Sequence, residues 1–280
     1  MIRALMALLL LTACAGSFAA DEAAMTPAAP AQLITVPGAE GASLRALLFV
    51  PANPTREPVI ALHSCSGLGT ADRPLRLPPH QQDWAARLVA AGHPVLFPDS
   101  FGSRGLGQAC GVPAFPAGPV SVRRWDALEA ARWARAQPWA RGEGVVLIGW
   151  SHGGSTTLAA WNAAPSGLVH AAIAMYPGCG RAQGVSIGPI AGTAPLLMLL
   201  GAADDWTPPQ PCEQMAASAP GRIEVELYRG AHHSFDQLSG GIRTMFLPNN
   251  RTVSLGPNPE ARAAARLRVA AFLEAHAGPP

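Results

Sequence analysis

Gly149-Trp150-Ser151-His152-Gly153-Gly154 is the stretch that decides the fold. The apolar run Val145-Val146-Leu147-Ile148 leads into it, and small, helix-compatible residues from Ser155 to Ala164 lead out. The order is strand, tight turn, helix, with a serine at the turn. In that setting Gly-x-Ser-x-Gly marks a nucleophile on a sharp strand-to-helix turn. Backbone at such a turn is strained, and side chains at 149 and 153 would crowd it. The helix N-terminus beyond Ser151 also offers N–H groups to a developing oxyanion. A glycine-rich turn with an incidental serine is the bland alternative, and the buried-type strand before it argues against that.

Outward from this turn, the rest of the 280-residue chain is 49% hydrophobic, enough to bury one large core. Charged residues make up only 14%, the net charge is +2, and every basic residue is Arg. No basic run stands out, and the low charge argues against a disordered or nucleic-acid-binding chain. At the N-terminus, Arg3 precedes an apolar stretch, Ala4 to Leu11, far short of the roughly 20 residues that span a bilayer. This is a leader. Leu11-Thr12-Ala13-Cys14 reads as a lipobox that would put a lipid on Cys14 and hold the protein to a membrane. Ser17-Phe18-Ala19 reads as an ordinary cleavage site that would remove residues 1–20. Either exports the protein, to be periplasmic, lipid-anchored or secreted. Residues 21–32 are an Ala/Pro-rich linker, and 33–280 form the folded domain.

The remaining cysteines agree with export. Cys65, Cys110, Cys179 and Cys212 are even in number, which in an oxidising compartment points to two disulfides. Of three pairings, Cys65–Cys110 and Cys179–Cys212 are favoured, because each joins loops at neighbouring strand ends. No Cys-x-x-Cys is present, and no metal or cofactor is expected.

Along the chain, strands are expected at Leu33–Val36, Leu44–Val50, Pro58–Leu62, Pro94–Phe97, Val145–Ile148, Val169–Met175, Pro195–Leu200 and Ile223–Tyr228. Helices are expected at Asp83–Ala91, at Val122–Gln137 capped by Ser121, at Ser155–Ala164, at Cys212–Ala219 and at Pro259–Ala277. Trp125, Leu128 and Trp133 have the spacing of a buried stripe. Residues 102–119 and 239–258 read as irregular. Strands alternating with helices mean a mostly parallel sheet covered on both faces.

Three strand ends carry candidate chemistry: Ser151, then Asp204 or Asp205, then His232 or His233. In a parallel sheet the residues past the carboxyl ends of the strands gather on one edge, so the three can converge. Asp204 is preferred because it follows the strand and two small residues directly. His233 is preferred because Ser234-Phe235 follows it. A serine hydroxyl needs an imidazole to take its proton, and the imidazole needs a carboxylate to fix its tautomer. The backbone N–H groups of His152 and Cys65 are the candidate oxyanion hole. The His152 side chain is expected to pack or hydrogen bond at the mouth of the site, and His63 to hold its own loop. Arg104 either pairs with Asp99 or binds a substrate carboxylate. Trp150 is a second candidate substrate contact.

Several segments resemble the dienelactone hydrolase family of α/β-hydrolases. They are His63-Ser64-Cys65-Ser66-Gly67, Pro98-Asp99-Ser100-Phe101 with Arg104-Gly105, the Ser151 turn, Gly201-Ala202-Ala203-Asp204 with Thr207-Pro208, and Ala231-His232-His233-Ser234-Phe235. The resemblance runs from about residue 35 to 275. It implies the α/β-hydrolase fold with an eight-stranded sheet, and metal-free hydrolysis of small-molecule esters or lactones through an acyl-enzyme. It supports Asp204 and His233. Founding members carry cysteine where this chain has Ser151, so the reaction class is carried over and the dienelactone substrate is not. Two other readings stay open: a cutinase-like polyester or acetyl esterase, and a non-catalytic envelope binding protein that kept the fold.

Overall fold

The computed structural model describes residues 24–276 apart from 28, 181–184 and 187. The leader, with Cys14, lies outside the described residues. Eight strands form one sheet: β1 (Gln32–Pro37), β2 (Ser43–Phe49), β3 (Val59–Leu62), β4 (Val95–Pro98), β5 (Val145–Trp150), β6 (Val169–Met175), β7 (Leu196–Gly201) and β8 (Ile223–Tyr228). Their order is β1-β2-β4-β3-β5-β6-β7-β8. The β1–β2 and β2–β4 pairs are antiparallel, and the other pairs are parallel. This is the α/β-hydrolase fold.

Strands β3, β4, β5 and β7 are apolar at every position because both faces are covered. In β5, Val145 and Leu147 point into one core while Val146, Ile148 and Trp150 point into the other. α2 (Arg124–Arg135), α3 (His152–Ala163) and α4 (Gln210–Ala217) cover the first face. α1 (Pro79–Ala90) and α5 (Pro259–Ala275) cover the second. No helix among the described residues is long and apolar enough to cross a membrane.

Three local expectations are corrected. α1 starts four residues before Asp83, because Pro79 fits the first helical turn, where its missing N–H costs nothing. Ser121 does not cap α2; it sits in a wide turn, Pro119–Arg123, and its Oγ donates back to the Gly118 carbonyl. Trp125 is 42% exposed rather than part of a buried stripe. The packed face of α2 consists of Leu128 with Ala127, Ala130, Ala131 and Ala134, four small residues that let the helix sit close to the sheet, and Trp125 falls on its flank beneath the Arg124 guanidinium.

Residues 239–258 also differ from expectation. They contain a hairpin, β9 (Arg243–Phe246) paired with β10 (Thr252–Leu255). β10 is tied to the loop after β8: Leu255 bridges His233, and the N–H groups of Gly256 and Asn258 donate to the carbonyls of His233 and Phe235. Both disulfides, Cys65–Cys110 and Cys179–Cys212, are formed.

Candidate active site

Ser151 sits between β5 and α3 with φ 56° and ψ −116°, a conformation that L-residues rarely adopt. The turn closes because positions 149 and 153 lack side chains. A Cβ on Gly153 would collide with the Leu62 carbonyl oxygen and lie 2.6 Å from that of His63. One on Gly149 would strike the Gly153 carbonyl. The glycines therefore allow α3 to press against β3 and push Ser151 out at the sheet edge.

There Ser151, His233 and Asp204 come together from the ends of β5, β8 and β7. His233 Nε2 lies 2.8 Å from Ser151 Oγ, and His233 Nδ1 lies 2.8 Å from Asp204 Oδ2. An ionised Asp204 only accepts, so Nδ1 carries the proton and Nε2 is left to face the hydroxyl. The neighbouring alternatives point elsewhere. Asp205 Oδ1 accepts the Ser254 N–H, and among the described residues the His232 Nδ1 makes no hydrogen bond, to Ser151, Asp204 or any other group.

Asp204 is held from several sides. Its Oδ1 accepts the backbone N–H groups of Trp206 and Thr207, and its Oδ2 lies 2.9 Å from Thr207 Oγ1. Burial pushes its carboxyl pKa up, but His233 and the Thr207 hydrogen bonds outweigh that, and the net shift is downward. The His233 ring is flanked by Tyr176 and Trp206, with centroids 4.9 and 4.6 Å away.

The N–H groups of Cys65 and His152 make no hydrogen bond among the described residues and remain available to an oxyanion. Behind them lies Arg123, 1% exposed. It donates to the His63 carbonyl and to His152 Nδ1, and packs on the Phe101 ring. Burial pulls its pKa down to about 9. Because Arg123 only donates, His152 Nδ1 accepts and the ring is the Nε2–H tautomer. Burial first and Arg123 second hold His152 well below the usual histidine range. His63 does hold its loop. Its Nε2 accepts from the Ser100 N–H, so Nδ1–H donates to the Ser64 carbonyl.

Two candidate substrate contacts are corrected. Trp150 is fully buried, because alternation along β5 turns it into the core while Ser151 emerges. Its indole N–H donates to Asp236. Arg104 is held by both carboxylate oxygens of buried Asp126, at 2.6 and 2.8 Å, rather than by Asp99. Asp99 is bound instead by Arg45.

Asp236 was not singled out by the sequence reading. It is 1% exposed and accepts three hydrogen bonds: Trp84 and Trp150 indoles on Oδ2, and the Tyr176 hydroxyl on Oδ1. Thr207 entered that reading only through its motif. A buried-type acid in the loop that carries the histidine, amid many Trp residues needing acceptors, was the available signal. Among the described residues no group of three or more His, Cys, Asp or Glu could hold a metal.

A cleft runs past Ser151. One cavity of about 320 Å³ is lined on one side by His233 and Gln237, and a second of about 440 Å³ by His152 and Phe115.

The sequence pattern of the dienelactone hydrolase family matches residues 44–277. No curated protein matches the chain in a sequence search. Among solved structures, a Klebsiella pneumoniae protein assigned to the dienelactone hydrolases superposes with a TM-score of 0.63 at 19% identity, covering 88% of this chain and 99% of its own. An esterase from Pyrococcus furiosus gives 0.60 at 13% identity, covering 89% and 92%. The dipeptidyl peptidase 4 of Porphyromonas gingivalis gives 0.64 at 20% identity, but this chain spans only 36% of it. At these identities the superpositions establish a common fold.

Proposed function

The chain belongs to the dienelactone hydrolase family of hydrolases, and we propose that it is an exported serine hydrolase of carboxylic esters that works through an acyl-enzyme. The observation that carries this reading is the chain of contacts from Asp204 through His233 to Ser151, 2.8 Å at each step, at the floor of a cleft.

In this mechanism His233 Nε2 takes the Ser151 proton as Oγ attacks the ester carbonyl carbon. Asp204 keeps the imidazole in the Nδ1–H tautomer and stabilises the imidazolium. The carbonyl oxygen becomes an oxyanion facing the N–H groups of Cys65 and His152, with the N-terminus of α3 adding its dipole. Collapse breaks the bond to the alcohol oxygen, which takes the proton from His233. Water, activated by the same imidazole, then releases the acid. Export is supported by the leader pattern and by two disulfides in one domain.

The test is hydrolysis of short 4-nitrophenyl esters by the wild type beside Ser151→Ala. A fall on the order of 10⁴-fold is expected for loss of a nucleophile that acts as part of a unit. If both proteins are equally inert and a fluorophosphonate leaves Ser151 unlabelled, the hydrolase mechanism is wrong for this chain and a binding role on the same fold takes its place.

A further inference from the structure

The two cavities share Ser151, Cys65 and Trp206, and otherwise have separate walls. They meet at the nucleophile and lead away from it on either side of the Cys65–Trp206 pair. Each falls near or within the size range of a small-molecule site by itself. A site for a compact ring needs one such space, since the acyl and alcohol ends of a lactone are joined and stay together.

The chemistry distinguishes the two sides. When the tetrahedral intermediate collapses, the carbon–oxygen bond to the alcohol breaks and the proton on His233 Nε2 moves to that oxygen. The leaving alcohol must therefore lie on the side His233 lines. That cavity has a mixed wall, with Met245 and Leu255 beside His80, Gln237 and Arg243. The other cavity is lined by His152, whose N–H faces the oxyanion, and lacks His233. Its wall is mixed as well: Val112, Pro113, Phe115 and Pro119 stand beside Ser155, Thr207, Asn249 and Arg251.

Resting on the acyl-enzyme reading above, we infer that the cleft is a two-sided ester site: the Val112–Phe115 side holds the acyl group and the Met245–Arg243 side holds an alcohol of comparable size. The substrate class is an open-chain ester with substantial groups on both sides of the scissile bond. The hairpin β9–β10 serves both sides, with Arg243, Met245 and Leu255 on the alcohol cavity and Asn249 and Arg251 on the acyl cavity. It is thus a specificity element as well as a support for His233.

The experiment fills each side separately in the purified protein. Val112→Trp, with Asn249→Trp as a second variant at an exposed position, narrows the acyl side. Met245→Trp, with Ser239→Trp as its exposed counterpart, narrows the alcohol side. Two ratios of kcat/KM are read: 4-nitrophenyl hexanoate over acetate, and 6-O-hexanoylglucose over ethyl hexanoate. The acyl-side variants are expected to lower the first ratio by about tenfold or more, the lower end of the effect of a single methylene in a hydrophobic pocket. The alcohol-side variants are expected to lower the second ratio to a similar degree and to leave deacylation of the hexanoyl-enzyme at its wild-type rate, since the alcohol has then departed. A crossed pattern, or equal changes in both ratios from both sides, overturns the assignment while Ser151 labelling by a fluorophosphonate still upholds the hydrolase. Absence of both turnover and labelling in the wild type removes the hydrolase reading and this one with it.

Discussion

The carboxylate of Asp236, three residues past His233, accepts the indole N–H of Trp150, the residue before Ser151, at 3.0 Å. One buried acid thus ties the loop of the proposed base to the strand of the proposed nucleophile. It also binds the Trp84 indole from α1 and the Tyr176 hydroxyl from the end of β6. Tyr176 in turn packs edge-on against the His233 ring.

Removing this acceptor leaves three buried donors without partners, each costing about 1–3 kcal/mol. Asp236→Ala is therefore expected to lose several kcal/mol of stability. Asp236→Asn keeps one oxygen for the two indoles and is expected to lose about 1–3 kcal/mol. Urea midpoints check the order. In the Asn variant kcat should fall more than KM rises, because a shift of this loop acts first on the 2.8 Å contact between His233 and Ser151. An Asn variant with wild-type kcat would make Asp236 a stability residue alone.

Thr207 is placed to act on Asp204. Its Oγ1 lies 2.9 Å from Asp204 Oδ2, 3.1 Å from the Tyr176 carbonyl and 3.1 Å from His233 Nδ1. Thr207→Val keeps the shape and both backbone bonds to Oδ1, and removes only the hydroxyl. A hydrogen bond to a charged group is worth about 1.5–3 kcal/mol, so kcat/KM is expected to fall about ten- to a hundredfold. Thr207→Ser should restore most of it. Failure of serine to rescue would point to lost packing instead.

The order of elements was legible because the central strands are buried on both faces and read as unbroken apolar runs, as Val145–Ile148 and Leu196–Leu200 do. The Ser151 turn was legible because close approach of α3 to β3 demands glycine at 149 and 153. The hairpin was not legible because β9 is mostly exposed, Phe246 at 70%, so no alternation of buried and polar residues marks it. Asn249-Asn250, with Asn250 at φ 60°, was its turn signal. Arg104 and Trp150 were misplaced for a shared reason: both partners, Asp126 and Asp236, lie far along the chain, and long-range pairing of buried polar groups leaves no local pattern.

Stability should fall as the pH drops from 7 toward 5. His63, His93 and His152 all have pKa values lowered in the fold, burial being the largest cause in each. Above about pH 6.5 these histidines are neutral in both folded and unfolded chains and contribute no slope. Below it the unfolded chain takes up protons that the folded one refuses, so acid favours unfolding, by up to about 1.4 kcal/mol per pH unit per histidine. Denaturant unfolding at pH 7, 6 and 5 measures the slope. His152→Asn keeps an acceptor for Arg123 and removes one titrating group, so its slope should be shallower by up to one such increment. A slope that is flat in the wild type would contradict the neutral Nε2–H tautomer assigned to His152.

The two disulfides should separate stability from activity. They close similar loops, with sequence separations of 45 and 33, so chain entropy predicts a similar stabilisation of about 3–4 kcal/mol each. Their surroundings differ. Cys65–Cys110 anchors the segment whose N–H faces the proposed oxyanion, and the Ala109 N–H donates to the Cys65 carbonyl beside it. Cys179–Cys212 joins the segment after β6 to α4, and neither cysteine lines the two cavities at Ser151. Replacing each pair by serines should lower the urea midpoint to a comparable extent. Only the Cys65→Ser/Cys110→Ser protein should also lose kcat, by about tenfold or more, because a freed loop misplaces one of two donors whose loss costs on the order of 10²–10³-fold. Assays well below each variant's own unfolding transition separate the two effects. Equal losses of kcat in both serine pairs would show that the Cys65 N–H does not stabilise the oxyanion.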